Sequence, residues 1–144
     1  MTLELDSIFM DAIEADAGIM GIIEGRRWCT CAPMPEEDFL DNVKVPYVIV
    51  NYNGFTNDND TKDDPFEGDM DNVNISITMT ANNREQLADL ASRVRKAVYR
   101  YLYMHKDDEG YPRSAVVSGG KKFYDQWKPC YGIDLIWQCE VPNI

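Results

Sequence analysis

The chain has 144 residues, 44% hydrophobic and 11% aromatic, enough for one self-sufficient core and too apolar for a disordered segment. Its 14 Lys and Arg stand against 25 Asp and Glu, a formal net charge of −11, and such a surface repels phosphate backbones and anionic membranes. No run approaches the ~18 apolar residues of a membrane-spanning helix.

In chain order, Leu5, Ile8, Phe9, Ala12 and Ile13 follow the spacing of one buried helical face and predict an amphipathic helix. Asp16 is placed to cap a second, short helical turn through Ile19, Met20, Ile22 and Ile23, closed by Gly25. Arg26 to Ala32 reads as a strand ended by Pro33 and Pro35, and Glu36 to Lys44 as a polar loop. Tyr47 to Tyr52 is β-branched and aromatic, a strand with Pro46 at its start and Gly54 at its end.

Thr56 to Asp71 holds seven acidic residues (Asp58, Asp60, Asp63, Asp64, Glu67, Asp69 and Asp71) and no periodicity, which predicts an exposed, mobile loop. Val73 to Ala81 alternates apolar and polar residues, as a half-buried antiparallel strand does. Asn82 with Glu85 three residues later is a capping pair for a long helix with the stripe Leu87, Leu90, Ala91, Val94, Val98, Tyr101 and Leu102. Arg84, Arg93, Arg95, Lys96 and Arg100 lie off that stripe. Two strands close the chain, Ala115 to Tyr124 and Tyr131 to Val141, the second with Tyr131, Ile133, Leu135, Trp137, Cys139 and Val141 on one face. The order α-β-β-β-α-β-β lacks a βαβ rhythm. It predicts one α+β domain over residues 1–144, a mainly antiparallel sheet of about five strands with two main helices packed on one face.

The sequence offers no catalytic constellation. His105 is the single imidazole and falls at a helix end, where the dipole favours a cation, and no serine or cysteine has a base placed in sequence to activate it. Gly119-Gly120-Lys121 lacks the rest of a phosphate loop, Ala115 and Lys122 standing where Gly and Ser or Thr are required, so a hairpin turn is expected. Asp58 and Asp60 match the first two ligand positions of a calcium loop, but Lys62 occupies the third and Asp63 the place of the glycine. Cys29 and Cys31 are one residue apart, not the spacing of a zinc knuckle, and with Cys130 and Cys139 they read as small hydrophobes on strands. Met1 to Met10 carries Glu4 and Asp6 and no basic residue, unlike a secretory leader, so a reduced, cytoplasmic context for the thiols is expected. No metal, cofactor or catalytic residue is assigned.

The arrangement resembles the tail-completion, or tail-terminator, proteins of long-tailed bacteriophages and related prophages. The resemblance runs through the N-terminal helix into Asp16-Ala17-Gly18-Ile19-Met20-Gly21-Ile22-Ile23-Glu24-Gly25-Arg26, then Ala32-Pro33 and Pro46-Tyr47-Val48-Ile49-Val50. It continues in Val73 to Ala81 followed by Asn83-Arg84-Glu85-Gln86-Leu87-Ala88-Asp89-Leu90-Ala91, and in the closing strand pair. The acidic Thr56 to Asp71 segment and the overall charge depart from the family.

The resemblance implies structural work: a homo-oligomeric, typically hexameric ring on the head-proximal end of the tail tube, ending polymerisation and joining the head connector. It implies a place in the virion, reached from the host cytoplasm during assembly. The partners implied are further copies of the chain, the tail tube protein, the head connector or neck protein, and DNA passing through the lumen without specific binding. A ring needs two different complementary patches per subunit. The residues that suggest themselves are Arg93, Arg95, Lys96 and Arg100 on one side and Asp58, Asp60, Asp63 and Asp64 on the other. Two alternatives are another neck adaptor of a phage and a small ligand-binding α+β domain whose pocket Trp28, Tyr52, Trp127 and Trp137 would line.

Overall fold

A computed structural model describes residues 2–30, 44–57, 69–125 and 130–142. The fold is α+β: one mixed sheet with helices against one of its faces. After a 3-10 turn, Thr2–Glu4, come helices α1 (Leu5–Glu14) and α2 (Ala17–Ile23). Strands β1 (Arg27–Cys29), β2 (Tyr47–Asn57) and β3 (Met70–Ala81) precede the long helix α3 (Arg84–Met104). Strands β4 (Ser114–Gly119), β5 (Phe123–Asp125) and β6 (Cys130–Pro142) follow it.

The strands lie in the order β1-β2-β3-β6-β4, with β5 also paired to β6. The β1–β2 pair is parallel and every other pair antiparallel. The count is six strands, one more than expected, because the edge partner of β6 is broken in two. β4 aligns Gly119 with Leu135 and β5 aligns Phe123 with Gly132, so three edge residues face two of β6. Gly119-Gly120-Lys121 therefore opens a one-residue bulge in an edge strand and is not the expected hairpin turn. The Gly120 amide still donates to the Asp134 carbonyl at 2.8 Å.

Gly54 likewise does not end its strand. With φ of +109° it lies at a register shift between Tyr52 and Phe55, and β2 runs on to Asn57. The flanks of the expected acidic loop are strand, Thr56 pairing with Asn72 and Asn57 with Asp71, and residues 58–68 lie outside the described residues. The strand expected over Arg26 to Ala32 is ordered as Arg27–Cys29, followed by Thr30 at φ +74°.

The helices cap as short polar side chains dictate, with one shift. Asp16 accepts from the Ile19 amide at 3.0 Å, and Glu24 in a left-handed conformation ends α2 before Gly25. At α3 the cap is Asn83, not Asn82: its side chain accepts from the Gln86 amide at 2.8 Å, while Gln86 Oε1 accepts from the Asn82 amide at 2.9 Å. The reciprocal pattern is the expected one displaced by one residue, since two adjacent asparagines offer the same cap.

The core lies between this helical layer and one sheet face. Leu5, Phe9 and Ile13 of α1, Ile19 and Ile23 of α2, and Leu87, Leu90, Val94 and Val98 of α3 are fully buried. They meet Val48 and Val50 of β2, Ile75, Ile77 and Met79 of β3, and Trp137 and Cys139 of β6. The rings of Phe9 and Trp137 pack edge to face at 5.5 Å. The opposite face carries Asn74, Ser76, Thr78 and Gln138, as in an antiparallel sheet with one wet side, with Thr78 donating to Asp134 at 2.6 Å.

Candidate interaction surface

The helical layer is narrower than the sheet. α1 packs over β2 and β3, α3 over β3 and β6, and β4 packs chiefly on β6. The side chains of β4 are exposed except Val117, which is half-buried opposite Trp137. Between α3 and the bare β4 runs a groove of about 830 Å³. Leu102, Val117 and the edge of Trp137 form its apolar floor.

Its walls are cationic. Arg95, Lys96, Arg100 and Lys106 come from α3 and the turn after it, Arg113 from the residue before β4, and among the described residues no acidic one lines the groove. The helical register explains the gathering: positions 92, 95, 96, 99, 103 and 106 recur every three or four residues along one flank of α3. On that flank Tyr99 and Tyr103 stack at 6.1 Å, although they are 67% and 58% exposed. The Lys106 ammonium lies 4.4 Å from the centre of the Tyr103 ring, a cation–π contact.

Of the basic residues singled out in the sequence, Arg95, Lys96 and Arg100 line this groove and Arg93 does not. Arg93 pairs with Asp89 at 3.2 Å one turn back, and its guanidinium lies so close to Gly18 of α2 that a Cβ there would sit 2.6 Å from it. Asp58, Asp60, Asp63 and Asp64 lie outside the described residues. Tyr99, Tyr103, Lys106 and Arg113 were not expected. The signal was present in the first two: a pair of tyrosines four apart, off the apolar stripe, on an otherwise charged flank.

The turn from α3 to β4 is built on aromatic stacking. The His105 ring stacks on Tyr111 at 4.9 Å and its Nδ1 lies 2.7 Å from Asp108, so the imidazole closes the helix end as expected. A hydrogen bond with Tyr111, with burial added, pushes the Tyr101 phenol up to about 12. Cys29 and Cys139 are free thiols; burial pushes that of Cys139 up to about 12, and burial with the charges of Asp6 and Glu14 raises that of Cys29. Among the described residues no three His, Cys, Asp or Glu gather as a metal site would require, and no helix is long and apolar enough to cross a membrane. Of the aromatics named for a ligand pocket, only Trp137 lines this groove among the described residues. Trp28 packs on Tyr47 at 5.7 Å, Tyr52 and Trp137 flank Ile75 in register across the sheet, and Trp127 lies outside the described residues.

The architecture defined by these elements, an α+β sheet with one helical layer, has a counterpart among solved structures. It is similar to a chain in the virion of native gene transfer agent (GTA) particle, over 96% of this chain and 95% of the other, with a TM-score of 0.62 and 15% identity. At that identity the likeness is one of fold. No protein-family model and no curated protein sequence matches the chain.

Proposed function

We propose that the chain is a structural virion protein, a subunit of a homo-oligomeric and typically hexameric ring that caps the head-proximal end of a phage-type tail tube. In this role it ends tube polymerisation and presents the surface that joins the head connector. The observation that carries the reading is the likeness of fold to a virion chain over nearly the whole length of both. The sequence pattern of a tail terminator supports it independently, and so does a cationic groove on a chain of net charge −11, one of the two unlike patches a ring contact needs. Its partners are further copies of itself, the tail tube protein and the connector, and DNA crosses the lumen without specific binding. No catalysis is assigned to it.

The test is particle mass by light scattering over a concentration series, with negative-stain images of the same samples, alone and with purified tail tubes. Closed rings, free or on tube ends, are expected. A protein that stays monomeric throughout and leaves tube ends bare overturns the reading.

A further inference from the structure

The groove beside β4 has a width, a charge and a floor that together specify what enters it. A strand occupies ~4.8 Å of a sheet and a helix about 10 Å, so leaving β4 outside the helical layer opens a strip roughly one extended chain wide. Its cations differ from three of the chain's four other arginines. Arg26, Arg27 and Arg93 each hold a carboxylate, at 2.9, 2.9 and 3.2 Å, while Arg84 lies over the Tyr131 ring at 5.8 Å. Among the described residues none of Arg95, Lys96, Arg100, Lys106 and Arg113 is paired with an acid. Five uncompensated charges of one sign stand over an apolar floor with two exposed tyrosines, on a protein whose net charge has the other sign.

The complementary partner is acidic, extended and carries an apolar anchor. Residues 58–69 of this chain have that composition: Asp58, Asp60, Asp63, Asp64, Glu67 and Asp69 with Lys62 as the one cation and Phe66 as the one aromatic. We infer that the groove is the receiving half of a contact between two copies of this chain, and that the acidic 58–69 stretch of one copy enters the groove of the next. The inference rests on the ring reading and names the surfaces by which subunits meet.

Carboxylates suit this strip because guanidinium groups bind them in bidentate pairs, and the exposed rings of Tyr99 and Tyr103 offer an apolar contact beside them. The giving and receiving surfaces differ, so each contact leaves a free groove and a free acidic stretch at its ends, and the assembly grows until it closes. A phosphate backbone would meet the same cations, but it would also approach a chain with 25 acidic residues.

Two full-length variants separate the halves. Arg95→Glu, Arg100→Glu and Lys106→Glu together reverse the groove, and Asp58→Asn, Asp60→Asn, Asp63→Asn and Asp64→Asn together neutralise the stretch. All three cations are exposed, so circular dichroism should show both variants folded. A labelled peptide of residues 56–71 is titrated by fluorescence anisotropy against the neutralised variant, whose groove is intact. Binding is expected, falling with salt and weakened about 10-fold or more when the reversals are added. Tyr99→Ser with Tyr103→Ser should weaken it without altering charge. Mixing the two full-length variants should give 1:1 dimers and nothing larger, because only one productive contact remains.

A silent peptide, binding indifferent to the reversals, or a 20-base-pair DNA duplex that binds the groove while the peptide does not, each overturns the inference. Wild-type rings beside a silent peptide overturn the groove assignment and leave the ring reading standing. Peptide binding and 1:1 dimers from a wild type that never closes a ring overturn the ring reading alone.

Discussion

The strands under α1 and α3 and the edge formed by β4 and β5 belong to one sheet, yet they follow different rules. In β3 every residue of the helix-facing side from Val73 to Ala81 is buried, as are Val48 and Val50 of β2 and Leu135, Trp137, Cys139 and Val141 of β6, and Phe9 and Trp137 lock helix to sheet at 5.5 Å. In β4 the same side is bare, and its neighbours across the groove are exposed tyrosines and unpaired cations. The covered part carries the folding free energy, since buried apolar area is the dominant favourable term. The edge gives up part of that stability by leaving its surface to water.

The contrast makes graded demands. Phe9→Ala removes a fully buried ring from the covered part and should cost about 3–5 kcal/mol in urea unfolding. A loss near zero would mean that the helical layer does not set stability. Gly132→Ala touches the edge, because an added Cβ would run into the Phe123 ring. Since Phe123 is half-exposed and can swing away, the cost should be only about 1 kcal/mol. It should also be non-additive with Phe123→Ala, and full additivity would show that the ring does not cover the glycine.

Tyr52→Phe sharpens the comparison from inside the covered part. Its hydroxyl is buried without a hydrogen-bond partner, and burial with the nearby charges of Asp71 and Asp6 pushes its pKa up. Removing that oxygen should leave the midpoint unchanged or raise stability by up to about 1 kcal/mol, and a clear loss would reveal a partner for it. The smallest effect belongs to Tyr99→Ser with Tyr103→Ser, which should move stability by no more than about 0.5 kcal/mol each. If thermal unfolding shows the pair to be worth as much as Phe9, the groove is core rather than docking surface.

Most of the covered part was legible in the sequence because period alone decides which side of an element is buried. The 3.6-residue stripes of α1 and α3 and the two-residue alternation of β3 and β6 each point at one core face. The edge was less legible because glycine has two meanings. Gly54 and Gly120 look like turns from their neighbours, and whether the chain reverses there or bulges and runs on depends on the partner strand. The groove was half legible. Charge alone grouped Arg93 with Arg95, Lys96 and Arg100, but helical rotation turns Arg93 towards α2 and brings Tyr99 and Tyr103 in its place. Arg113 joins them only because the chain returns along β6, pinned by its amide to the Glu140 carbonyl at 2.8 Å.

The bulge after Gly119 bears on how an exposed sheet edge escapes aggregation. A long, flat outer strand is a template on which any unfolded chain can pair, and fibres grow from such templates. Here the outer strand is cut into lengths of six and three residues, and Lys121 and Lys122 stand exposed at the cut. Two adjacent ammonium groups and a change of register deny a stray strand the continuous ladder it would need. The protein thus leaves one edge of its sheet open while remaining a poor seed for amyloid.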